Sequence, residues 1–77
     1  MQSTIRLEIP NTRRYLVPGN RVKLGRFETT LWTVAYGWYT WGGNRPVCGW
    51  YLIDESNPAD LKPLERPDLD DIYVIAR

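Results

Sequence analysis

Histidine is absent from the 77 residues and cysteine occurs once, as Cys48. One chain therefore cannot assemble the usual nitrogen and sulfur ligands of a structural zinc site, nor a Cys-His pair or a Ser-His-carboxylate relay. The other nucleophiles, Ser3 and Ser56, have no candidate general base at a spacing that a strand or turn would bring within hydrogen-bond reach. Asp68, Asp70 and Asp71 form the densest set of hard oxygen ligands, yet no glycine stands at the sharp position of a calcium loop and no glutamate follows in register. Their expected role is to cap a turn and solvate the approach to an apolar strand. Gly42-Gly43 lacks the lysine-serine continuation of a phosphate loop. The residue types predict a protein that is not an enzyme and holds no metal or cofactor.

What chemistry remains is recognition. All four tryptophans (Trp32, Trp38, Trp41, Trp50) lie within residues 31–53, together with Tyr36, Tyr39 and Tyr51. That is more indole than so short a chain buries in full, because the ring is large and its N–H needs a partner, so at least one ring is expected at the surface. Read with period two, Trp32, Val34, Tyr36 and Trp38 fall on one side of a strand and are expected to face the core; Leu31, Thr33, Ala35, Gly37, Tyr39 and Trp41 fall on the other. A bulge at Gly37 would exchange the faces beyond it. Tyr39 and Trp41 then stand beside a Gly42-Gly43-Asn44 loop too small to cover them, and Arg45 returns close by. Exposed rings rimmed by arginine are what protein-binding centres favour, so Tyr39, Trp41 and Arg45 are the expected protein-binding residues, and a protein partner or self-association is expected.

The alternative partner is nucleic acid. Arg13, Arg14, Arg21, Lys23 and Arg26 could line a cationic groove beside rings on which bases stack. Ten basic against nine acidic residues is a weak balance for binding that depends on phosphates, so any such binding is expected to be weak. The charge is asymmetric, with six basic and two acidic residues in 1–30 and four basic and seven acidic in 31–77. Pairing between the two halves inside the fold is the expected outcome. Cys48 is expected as a free, buried thiol.

The elements that must position these residues are short. Residues 5–9 alternate with Ile5, Leu7 and Ile9 inward; residues 15–17 form an apolar run that stops at a Pro18-Gly19 turn; residues 21–24 alternate with Val22 and Leu24 inward, and Phe27 is the expected core anchor of the next element. Residues 54–71 hold Pro58, Pro63, Pro67 and seven acidic side chains without a sustained period, which predicts an irregular acidic excursion with one helical turn at 57–61, Asn57 capping and Pro58 first. Residues 72–76 read as a closing strand.

The whole chain is expected to form one all-β domain over residues 1–77, a small antiparallel SH3-like barrel or a strongly curled sheet of five to six short strands. A basic-flanked early strand, a turn, a long aromatic hairpin and a terminal strand after an excursion resemble the layout of SH3-like barrels. The ALYDY-type motif of signalling SH3 domains is absent, so proline-peptide recognition is not implied. No apolar run approaches the ~20 residues of a membrane span. The N-terminus lacks a basic-then-apolar signal, and a soluble cytoplasmic protein is expected.

Overall fold

The computed structural model describes residues 5–10, 12 and 14–76. The chain forms β1 (Leu7–Ile9), β2 (Arg14–Leu16), β3 (Arg21–Lys23), β4 (Trp32–Tyr39), β5 (Val47–Asp54), β6 (Asn57–Pro63), a 3₁₀ helix (Arg66–Asp70) and β7 (Tyr73–Ala76). Among the described residues β1 and β2 pair only with each other, and the remaining strands form an antiparallel sheet in the order β6-β5-β4-β3-β7. No described helix is long and apolar enough to cross a membrane.

Two open sheets replace the expected SH3-like barrel or curled sheet, and the described residues form seven strands in place of five to six. Closure requires the edge strands to meet. Here β6 and β7 are separated by three strands, about 19 Å at the ordinary inter-strand spacing. The small β1–β2 sheet packs on the larger one instead of extending it. Ile9 and Leu16 enter the buried cluster with Val22, Val34, Leu52 and Leu69, while Leu7, Leu24, Trp32, Trp50, Leu64, Ile72 and Val74 pack around it. Period two thus places Val22, Val34 and Leu52 on one face because Val22 stands opposite Trp32 and Val34 opposite Leu52 in the ladders.

The buried cluster stops short of the far half of β4. Trp32 and Val34 are covered, but Tyr36 is 42% and Trp38 73% exposed, so the expected core face of β4 is core only in its first half. Gly37 makes no bulge: the β4–β5 ladder runs without a shift from Trp32↔Asp54 to Tyr39↔Val47. Cys48, the cross-strand neighbour of Trp38, shares its uncovered position and is exposed rather than buried. Phe27, the expected core anchor, lies in the loop after β3 with 89% of its surface in solvent and the Arg26 guanidinium 5.7 Å from its ring centroid. Ile5 precedes β1 and is exposed as well.

Residues 54–71 are ordered into a strand and a 3₁₀ helix, not an irregular excursion with a helical turn at 57–61. Asp54 Oδ1 accepts hydrogen bonds from the Ser56 backbone N–H (2.9 Å) and from its hydroxyl (2.7 Å), which reverses the chain at Glu55-Ser56. β6 then returns along β5 with Ile53 opposite Leu61 and Tyr51 opposite Pro63. Prolines are tolerated because β6 is an edge strand. Asp68 caps the following turn by accepting from the Glu65 N–H (3.3 Å) and meets Lys62 at 3.7 Å, while Leu69 is buried.

The Val17–Asn20 turn is built by Asn20, the one buried polar residue among those described. Its backbone N–H donates to the Val17 carbonyl (3.1 Å), and its side-chain oxygen accepts from the Val17 N–H (2.9 Å). Its carbonyl accepts from Val34 (2.8 Å), which continues the β3–β4 ladder, and among the described residues no buried side-chain nitrogen or oxygen lacks a partner.

Candidate protein-interaction site

The expected protein-binding residues Tyr39, Trp41 and Arg45 lie at the turn end of the β4–β5 hairpin, beyond the buried cluster. Trp41 and Asn44 close the connecting turn through a 3.1 Å bond from the Asn44 N–H to the Trp41 carbonyl. Gly42 and Gly43 occupy the two central positions with φ of 63° and 75°, the doubly left-handed geometry that matches the twist of a hairpin and that side-chain-bearing residues resist. The turn fixes where Trp41 and Arg45 leave the sheet.

On the solvent face of the large sheet, register puts Gly37 opposite Gly49, with Tyr39 one row beyond this pair on β4 and Tyr51 one row before it on β5. No side chain stands on the glycine row. The two tyrosines lean across it from either side and stack, ring centroids 4.5 Å apart and planes 27° apart. Tyr39 is thereby held as a fixed wall.

Tyr39, Trp41, Asn44, Arg45, Val47 and Pro63 together line a shallow pocket of about 260 Å³. The three expected protein-binding residues, Tyr39, Trp41 and Arg45, thus surround one opening. Trp41 is 48% exposed. Arg45 is exposed, and neither ion pair among the described residues involves it. Asn44, Val47 and Pro63 were missed from sequence. Val47 follows from the hairpin register, whereas Pro63 depends on the β6 pairing that the prolines concealed.

The expected nucleic-acid residues are spread over both sheets and a loop. Arg14 belongs to β2, Arg21 and Lys23 to β3, Arg26 to the loop after it, and Arg13 lies outside the described residues. Arg21 is already engaged: its Nε and Nη2 donate to the two carboxylate oxygens of Glu55 at 2.6 and 2.9 Å, and Thr33 adds a 3.4 Å bond to the same carboxylate. The hydrogen bond from Arg21 holds the Glu55 carboxyl below its ordinary value, and the same contact raises the Arg21 pKa. This pair joins the basic first part of the chain to its acidic second part.

A second opening of about 650 Å³ lies between the sheets, lined by Leu7, Glu8, Pro10, Trp50, Leu64, Arg66 and Leu69. Of its apolar walls Leu7, Trp50, Leu64 and Leu69 are already packed in or around the core, and its two charges are of opposite sign. On the face shared with Trp50, Tyr36 tilts against the indole at 5.2 Å and 60°. Among the described residues no three His, Cys, Asp or Glu side chains gather as a metal ion would require.

Compared with known proteins, the chain matches no family model, no curated protein and no solved structure.

Proposed function

We propose that the protein is a non-catalytic interaction or assembly module that binds a protein segment in the Tyr39–Trp41–Arg45 pocket. The supporting observation is the meeting, at one hairpin end, of the partly buried Tyr39 ring, the half-exposed Trp41, Val47, Pro63 and an arginine with no described ion-pair partner. Apolar walls release water when a side chain enters, and a cation at the rim rewards a carboxylate beside that side chain. The favoured partner is therefore a segment carrying an apolar residue flanked by Asp or Glu.

Titration of the protein, followed through its backbone amide resonances, with peptides bearing one leucine or phenylalanine between acidic residues tests the reading. Shifts centred on Tyr39, Trp41, Asn44 and Arg45 are expected, with affinity falling about tenfold in Arg45→Glu. Shifts confined to the Leu7–Trp50–Arg66 opening would refute the site. Silence toward peptides with binding of a single-stranded oligonucleotide would promote the nucleic-acid alternative.

A further inference from the structure

The two edges of the five-stranded sheet differ in chemistry. β6 carries Pro58, Asp60, Lys62 and Pro63, the prolines and charges that prevent a further strand from pairing. β7 reads Tyr73-Val74-Ile75-Ala76, with neither proline nor charge, and pairs only with β3 among the described strands. Tyr73 and Ile75 are 45% and 49% exposed. The small sheet does not pair with this edge; Ile9, Thr12 and Arg14 border, with Tyr73 and Val74, an opening of about 300 Å³.

We infer that β7 is a self-pairing edge, and that a second copy of this chain adds its own β7 antiparallel to it, making one ten-stranded sheet. The sequence is self-complementary about Val74. In an antiparallel pair centred there, the two faces of the sheet continue across the seam and Tyr73 of each copy stands opposite Ile75 of the other. That is an aromatic and β-branched pair of the kind that stabilises neighbouring strands. A parallel arrangement in register would instead set Tyr73 against Tyr73 and Ile75 against Ile75, without that mixed pair. The contact is isologous, so it closes at two copies. A seam of four residues falls short of the roughly 1,000 Å² of a lasting interface, and a dissociation constant on the order of 0.1 mM is expected.

Sedimentation from low micromolar to ~1 mM protein, combined with amide hydrogen exchange at both extremes, tests this. A monomer–dimer equilibrium is expected, with protection at Tyr73–Ile75 rising with concentration while β6 stays unchanged. Ile75→Lys, a charge on an exposed edge position, is expected to stay monomeric. A monomer at every concentration overturns the inference. So does a dimer whose new protection lies at residues 36–47, which would place self-association on the hairpin instead. The exchange measurement on the unaltered chain decides even if the lysine variant folds poorly.

Discussion

Replacing Trp38 by alanine separates a core from a surface reading of the aromatic hairpin. Trp38 sits on the same face of β4 as Val34, so alternation alone would make its loss as costly as that of any core side chain. It is, however, 73% exposed, against 1% for Val34 and 0% for Leu52. Folding hides about a quarter of a ring that offers at most ~250 Å², or about 70 Å². At ~25 cal/mol per Å² this gives under 2 kcal/mol, and allowing for what alanine retains and for a compact unfolded chain leaves about 1 kcal/mol. Leu52→Ala, which empties a fully enclosed site, is expected to cost about 2–5 kcal/mol. Urea denaturation of both variants measures the difference, with a fall in thermal midpoint of ~4–8 °C for Trp38→Ala and a larger one for Leu52→Ala. Equal losses would mean that Trp38 is covered in solution, and the argument that the hairpin end is an uncovered surface would fail with it.

Gly37 and Gly49 face each other in the ladder, and an added Cβ at either meets nothing within 4 Å, but Gly37 has φ +151°. Gly37→Ala is therefore expected to destabilise by roughly 1–2 kcal/mol and Gly49→Ala to be neutral or mildly stabilising; equal effects in thermal melts would refute the backbone argument. Glu55, with its carboxyl held below the ordinary 4.5 by Arg21, contributes stability that is present above that value and lost as pH falls through the lowered one. The stability gap between the parent and Glu55→Gln should narrow in acid, and a gap constant from about pH 7 to 2 would contradict the assignment. Cys48 should react with a thiol reagent in the native state, whereas reaction only on unfolding would bury it.

Some of this was legible because it is local. The β4–β5 hairpin announces itself in β-branched and aromatic residues around Gly42-Gly43-Asn44, and Ile9, Val22 and Val34 fall inward by alternation. What escaped is nonlocal. Alternation says which residues share a face but not how far a cover extends along it. Tyr36 and Trp38 therefore look like Trp32 in sequence and differ in lying beyond the buried cluster. Phe27 shows the same thing in a loop, where apolar character carries no information about burial. β6 was hidden for a different reason: its prolines contradict a central strand and say nothing against an edge one, and edge status depends on the final strand order. Barrel closure fails on that order too.

The two proposals together fix what a dimer could do. An antiparallel seam at β7 makes the two copies of β4 run in opposite directions, so their hairpin ends point to opposite ends of the sheet. Val74 pairs with Val22, which pairs with Trp32, and Tyr39 lies seven residues further along β4. At ~3.3 Å per residue and ~4.8 Å between strands, the two pockets stand about 50 Å apart. Such a dimer joins two partners rather than gripping one. A peptide carrying two acidic-flanked leucines on a six-residue linker, which reaches only ~20 Å, should bind about as well per site as the single motif. A flexible linker of ~80 residues, whose average reach matches the span, should gain at protein concentrations where the dimer is populated, and Ile75→Lys should abolish that gain while leaving single-motif affinity intact. Strong enhancement by the short linker would mean that the pockets lie side by side, and the seam would then have to be elsewhere.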